Sequence, residues 1–308
     1  MNQQKEKRKI TKYTIIVLIV ALLSVLYLLA DRYLIEHVEG TVSDNQTIST
    51  VSETPGTVES DDWNYKSDTT TIHIKKVQTG SGTDKITYFI ADVTLSNSAS
   101  LRSAFAKGAF GRNIVEVTSK IASDNNAIFA INGDYYGFRN DGVLIRNGTL
   151  YRDTPTRTAM ALFNNGTMQT FDETEVSSSS LLAKGVTNTL SFGPILVKNG
   201  KAVEDFGKVA VDTNFGNRSI QGSNPRTGIG MISANHFVFV VVDGRMENYS
   251  RGMTLSEFAD LFADLGCTEA YNLDGGGSST MYFMGRVVNN PLGKQDERAI
   301  SDILYIKD

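Results

Sequence analysis

Residues 236–274 read HFVFVVVDGRMENYSRGMTLSEFADLFADLGCTEAYNLD, and their reading decides the fold. HFVFVVVDGR (236–245) is continuously apolar up to its aspartate, as expected for a strand covered on both faces. MTLSEFADLFADLG (253–266) then has helical spacing, with Leu255, Phe258, Leu261, Phe262 and Leu265 on one stripe. Thr254 and Glu257 have capping-box spacing, and Gly266 supplies a C-terminal stop. EAYNLD (269–274) reads as a second strand. Strand, crossover helix and strand make a βαβ-like unit, whose two strands would run parallel if they share a sheet.

Upstream the pattern changes. TTIHIKKVQ (70–78) and KITYFIADVTL (85–95) alternate apolar and polar residues, the signature of strands. GRNIVEVTSKIASDNNAIFAINGDYYG (111–137) combines a helical stretch, from the spacing of Ile114, Val117 and Ile121, with a buried strand at AIFAI. Asn-Gly pairs at 147–148, 165–166 and 199–200 lie between strand-like flanks and predict tight hairpins, because a type I′ turn needs positive φ at both central positions. The fold class is therefore α+β: a hairpin-rich mixed β-sheet domain with a C-terminal strand–helix–strand unit, preceded by one N-terminal transmembrane helix.

The first dozen residues, MNQQKEKRKITK, are strongly basic. From Tyr13 to Ala30 no charged residue follows, close to the ~20 residues that cross a bilayer hydrocarbon core. Basic residues on its N-terminal side predict a cytoplasmic N-terminus and an extracellular remainder. The run exceeds a usual signal-peptide apolar core, so it reads as an uncleaved signal anchor rather than a leader. The domain boundaries expected are a basic tail over 1–12, the anchor over 13–32, a Ser/Thr-rich disordered linker over 33–62 and a globular domain over 63–308. Within the linker, residues 36–62 hold too few apolar groups to offset their ordering entropy. Cys267 is the single cysteine, so no intramolecular disulfide forms. The net charge of −4 gives no reason to expect nucleic acid as a partner.

Three apolar strands end alike. AIFAI runs into Asn132-Gly133-Asp134, FVFVVV into Asp243-Gly244-Arg245, and EAYNL into Asp274-Gly275-Gly276-Gly277. With strands side by side and ends aligned, the carboxylates would converge on one rim, and the glycines would admit a ligand to the backbone. Asp274, Asp243 and Asp134 are the catalytic candidates. The triple glycine is no P-loop, because no lysine follows and MYFMGRVV looks like a strand. Ser278 and Ser279 lack the closing glycine of a nucleophile elbow, and no HExxH or CxxC supplies a zinc set. Oxygen coordination of calcium or magnesium by the aspartates stays open, with no ligand set identified. A nest of backbone amides with hydroxyls from Ser278, Ser279 and Thr280 remains, suited to an anion beside a carboxylate. Tyr135 and Tyr136 either line a sugar subsite or pack in the core.

AIFAINGDYYG, PRTGIG, VVVDGR, MTLSEFADLFADLG and above all YNLDGGGSSTM resemble the phosphodiester glycosidase family, from about Ile90 to the end and in the expected order. The resemblance implies an exported or lumenal glycosidase that cleaves the sugar–oxygen bond of a sugar-1-phosphodiester, with envelope or exopolysaccharide glycan as the substrate setting. On that reading, Arg226 and Arg245 would hold the phosphate and Asn132 would orient a sugar hydroxyl. The amides of Gly275, Gly276 and Gly277 would complete the anion site. Two rivals are a non-catalytic protein that binds glycan or teichoic acid in the envelope, and a metal-dependent phosphodiesterase.

Overall fold

The computed structural model describes residues 2–41, 57–209, 211 and 219–307, with side chains from residue 11 onward. In it the strand His236–Val242 lies inside a nine-stranded sheet, paired antiparallel with Ile86–Leu95 on one side and Arg226–Ser233 on the other. Its alternate residues go to opposite faces. Phe237, Phe239 and Val241 enter one core cluster, while Val238, Val240 and Val242 enter another beneath the helix Leu255–Asp264. The uninterrupted apolar run is thus explained by burial on both faces.

Glu269–Asn272 pairs antiparallel with the far edge of Arg226–Ser233. The two strands of the predicted unit therefore point the same way, but a third strand lies between them. The inserted strand carries Gly228 and Gly230 where the helix crosses. A Cβ at Gly228 would stand 2.9 Å from the Phe258 and Phe262 rings, and one at Gly230 would stand 2.5 Å from the Cys267 Sγ. Bare backbone there lets the two phenylalanines, both fully buried, seat directly on the sheet. The capping box forms as read, with the Thr254 hydroxyl accepting from the Glu257 amide at 3.2 Å and the Thr254 amide donating to Glu257 at 2.8 Å.

A second sheet has five strands, in the order Arg286–Val287, Met281–Phe283, Phe129–Asn132, Asp302–Ile306, Leu101–Phe105. It faces the first across a shared apolar core, with the Phe129 and Phe239 rings 5.1 Å apart. The short helix Thr118–Asp124 covers its outer side. That helix begins later than Ile114 and Val117 suggested. Asn113 takes a left-handed φ of 60°, and Glu116 bridges to Ile300, so extended pairing claims those residues first. Of the Asn-Gly pairs, Asn147-Gly148 and Asn199-Gly200 have positive φ at both positions. At Asn165-Gly166 only the glycine does, and the Asn165 side chain instead accepts the Thr167 amide.

The N-terminal helix spans Asn2–Tyr33, and its stretch Thr11–Tyr33 is long and apolar enough to cross a membrane. The segment after it departs from the tether expected. His37–Thr41 forms a strand against Ala109–Arg112, and Asn113 donates to the carbonyls of Asp31 and Ile35 at 3.1 and 2.9 Å. Lys107 forms an ion pair with Glu36. Glu59–Ser60 likewise pairs with Asn64–Lys66. A polar stretch without a core of its own can still pair its backbone with an open strand edge. The middle of the expected linker, 42–56, lies outside the described residues.

A chain carrying His37→Cys and Arg112→Cys, whose Cα atoms are strand partners, should close a disulfide in high yield on mild oxidation, because native Cys267 is buried away from both. Faster migration on a non-reducing gel, reversed by reductant, checks it. Thiols still open to maleimide after oxidation would show that the segment does not dock.

Candidate active site

The loop after Glu269–Asn272 explains its three glycines by what surrounds each. A Cβ on Gly275 would lie 2.8 Å from the Pro225 carbonyl oxygen. At Gly276, which has a φ of 61°, it would lie 3.2 Å from the Arg245 guanidinium. At Gly277 it would meet Leu292 at 3.1 Å and Arg298 at 3.2 Å. The glycines thus admit neighbouring protein groups as closely as any ligand. Of the amide nest anticipated from sequence, the Gly275 and Gly276 donors are already taken within the protein. Gly275 N donates to Asp274 Oδ1 and Gly276 N to the Pro225 carbonyl, both at 2.9 Å, while the amides of Ser278 and Ser279 turn back onto the loop.

Beside this loop lies a cleft with a cavity of about 210 Å³, lined by Phe192, Asn224, Arg226, Arg245, Asp274 and Arg298 among others. Asp274 is 9 % exposed. Its Oδ2 accepts from the Ser278 hydroxyl at 2.6 Å and from Arg298 at 3.2 Å. Burial pushes its carboxyl above the usual range, and Arg298, Ser278 and the Gly275 amide pull in the other direction. Arg226, at the start of the central strand, donates from Nε to Met253 O and from Nη2 to the carbonyls of Ile220 and Gly222. Among the described residues it has no ion-pair partner, and burial together with the neighbouring Arg245 charge lowers its pKa to about 10. Arg245 donates to Asn224 Oδ1 at 2.7 Å. A buried cation with a second cation beside it is costly on its own, and an anion entering the cleft would relieve that cost.

The other two aspartates do not join Asp274. AIFAI belongs to the second sheet, which takes Asp134 off the expected common rim, while Asp243, on the same sheet as Asp274, has its carboxylate engaged by Tyr249, Asn289 and the Asn290 amide. Asp134 is 3 % exposed and accepts from Tyr136 N, Ser191 N and Arg146, whose guanidinium also grips Asp302 at 2.6 and 2.8 Å. Burial works to raise Asp134, but Arg146, the Ser191 and Tyr136 amides and Arg152 outweigh it and hold the group below its ordinary value. Asp302 goes up instead, to about 7, from burial and from the charge of Asp134 against the pull of Arg146. Asp243 is 2 % exposed and is enclosed by Tyr249, Asn289 and the Asn290 amide. It braces two loops and does not line the cleft.

Asn132 lies under the floor of the site. Its Nδ2 donates to the Asp274 carbonyl at 2.7 Å, and its Oδ1 accepts from Thr227 and from the Thr280 amide, so its polar atoms hold the loop rather than face a sugar. Ser278 positions Asp274. The hydroxyls of Ser279 and Thr280 are buried and without hydrogen bonds among the described residues. Arg298 was missed by sequence reading. Arg298 sits in KQDERAI, where nothing in composition or spacing distinguishes it from a solvated charge run. Among the described residues no three His, Cys, Asp or Glu side chains gather as a metal-binding group.

The sequence model of the phosphodiester glycosidases matches residues 125–307. The chain belongs to this family. It is 33% identical over 206 residues to the SPbeta prophage-derived uncharacterized protein YomE of Bacillus subtilis (strain 168), covering 64% of this chain and 30% of that protein. It is 31% identical over 110 residues to N-acetylglucosamine-1-phosphodiester alpha-N-acetylglucosaminidase of Bos taurus, covering 36% of this chain and 20% of that one. The chain thus spans less than a third of the length of these relatives. Among solved structures, the catalytic domain of the zebrafish N-acetylglucosamine-1-phosphodiester alpha-N-acetylglucosaminidase, auto-inhibited by its pro-peptide, superposes with a TM-score of 0.60 at 19% identity. That superposition covers 83% of this chain and 89% of the other. A protein of Burkholderia pseudomallei K96243 gives 0.52 at 15% identity, covering 72% and 74%. These two likenesses show a shared fold.

Replacing Arg146 with alanine should leave Asp134 and Asp302 buried without their cation and cost roughly 3–5 kcal/mol of stability. Urea denaturation of the purified chain measures it. A loss below about 1 kcal/mol would show that the cluster is not the brace described.

Proposed function

We propose that the chain is an extracytoplasmic hydrolase, held to the membrane by its N-terminal helix, that cleaves the sugar–oxygen bond of a sugar-1-phosphodiester in an envelope or exopolysaccharide glycan. The observation that carries this reading is the pairing, in one cleft, of a buried guanidinium without an ion-pair partner and one lining carboxylate, both statements being of the described residues. Arg226 through Nη1, together with Arg245, would take the phosphate oxygens, and Asp274 would face the anomeric carbon. In the net reaction a water oxygen bonds to the anomeric carbon. The carbon–oxygen bond breaks, and its electron pair leaves with the phosphate monoester. Such a leaving group is a weak base already, and the two arginines stabilise its charge further. One carboxylate therefore suffices, as direct nucleophile or as base toward water, where ordinary glycosides require a second as acid. Arg298 and Ser278 orient Asp274 and favour its ionised form. The basic segment before the apolar helix supports a cytoplasmic N-terminus, with the catalytic domain outside.

N-acetylglucosamine-1-phosphate methyl diester is the first probe, chosen from the activity that names the bovine relative. Turnover in oxygen-18 water should place the label in the released sugar. Label in the phosphate would instead support phosphorus–oxygen cleavage and overturn the proposal. Asp274→Asn should lower kcat by about 100-fold or more with the fold intact.

Because Asp274 must be ionised, activity should fall as pH drops through its raised pKa, putting the acid limb of kcat/KM above the ordinary aspartate value of about 3.9. Arg298→Gln removes a charge that lowers this pKa, so the limb should move to higher pH. A limb that stays in place would remove Asp274 from the role of titrating base.

A further inference from the structure

A second cavity, of about 180 Å³, lies where the strand after the apolar helix meets the domain, and it shares no lining residue with the cleft. Glu39, Phe110, Gly111, Arg112, Asn140 and Arg152 line it. One wall exists only because His37–Thr41 pairs with Ala109–Arg112, and a Cβ at Gly111 would collide with the His37 carbonyl oxygen. The register shifts between Val38 and Gly40, so Glu39 has no strand partner and stands at a bulge.

The charges around this cavity are held but not matched. Arg152 donates from Nη1 to the carbonyls of Tyr136 at 3.1 Å and Arg139 at 2.6 Å, and from Nε to that of Gly142 at 3.4 Å. Its Nη2 has no acceptor among the described residues. The side chains of Arg112, Glu39 and Asn140 likewise make no hydrogen bond or ion pair among the described residues. Asp141, next to Asn140, is engaged by Arg157 at 2.6 Å. Two cations and one carboxylate thus line one small space without pairing, which matches a ligand that carries both signs and bridges them.

Position says which ligand meets it. Asn113, the residue after Arg112, holds the carbonyls of Asp31 and Ile35 at the end of the apolar helix. Leu34, Ile35 and Val38 beside it are exposed. With the helix across a bilayer, its last turn lies at the edge of the hydrocarbon core, and the cavity lies in the headgroup layer, roughly 5–8 Å deep on each side. We propose that the cavity binds the headgroup of a phosphoethanolamine-type lipid, with its phosphate between Arg112 and Arg152 and its ammonium at Glu39. Binding would lock residues 37–41 onto the domain, because that strand supplies both Glu39 and a wall of the cavity. This rests on the membrane-anchored part of the proposed function and adds the lipid contact that sets the domain's orientation at the surface.

The test places the full chain in nanodiscs of phosphatidylglycerol, alone or mixed with phosphatidylethanolamine; the two lipids share the phosphodiester and differ in the ammonium. Amide hydrogen exchange over residues 37–41 should be about tenfold slower in the mixed discs. Arg112→Gln and Glu39→Gln should each remove that difference, with an unchanged thermal melting point showing that the fold is intact. Equal exchange in the two discs, or a difference that either variant keeps, overturns the assignment. Calorimetric titration of the chain in uncharged micelles with glycerophosphoethanolamine, and separately with inorganic phosphate, distinguishes a headgroup site from a free-phosphate site. Tighter binding of the first, weakened about tenfold by Arg112→Gln, supports the proposal. Equal binding of both, or none of the first, overturns it. If exchange over residues 13–30 stays fast in nanodiscs, the membrane reading falls by itself, and the titration still decides the cavity.

Discussion

The side-chain amide of Asn132 is the interaction on which the site depends. It comes from the second sheet, yet it donates to the carbonyl of Asp274 and accepts from Thr227, both of the first sheet, while also receiving the Thr280 amide. Asn132 is fully buried, so each of these partners would be left unsatisfied without it, at a cost of about 1–3 kcal/mol per group. Apolar packing brings two sheets together but does not fix their register at the ångström level. A saturated polar contact between the strand ends does.

Charge is distributed around that joint in two unlike ways. Asp134, Asp302 and Arg146 are all nearly inaccessible and satisfy one another, which makes them a brace. Arg226 and Arg245 lie against the cleft, with their donors directed partly to carbonyls and to Asn224 and no carboxylate gripping Arg226 among the described residues. The first arrangement spends its electrostatics on the fold, whereas in the second Arg226 lines the cleft without an ion-pair partner among the described residues. Glycine allows both to sit close to backbone, at Gly276 against Arg245 and at Gly133 against Asp302.

Much of this was legible along the chain. The capped helix, the doubly buried strand and two of the tight Asn-Gly hairpins follow from local periodicity and turn chemistry, which act over a few residues. Asp274 was legible as well, because a carboxylate before three glycines has few structural uses. The grouping of Asp134 and Asp243 with it was not. All three terminate buried strands, and sequence alone does not say that AIFAI pairs in a different sheet. The role of Asn132 was hidden for the same reason, since its partners lie 95 to 148 residues away in sequence.

By itself, the sequence determined the element types, the long apolar N-terminal helix, membership of the phosphodiester glycosidase family and the aspartate to examine first. Those depend on neighbours in the chain, where spacing and composition carry the information. Only the tertiary structure decided which acids meet the cleft, that the Gly275 and Gly276 amides turn inward, that residues 37–41 dock as a strand, and that Arg298 reaches the cleft. Each of those depends on contacts between distant segments, whose pairing is set by how two sheets and their edges pack rather than by any local pattern.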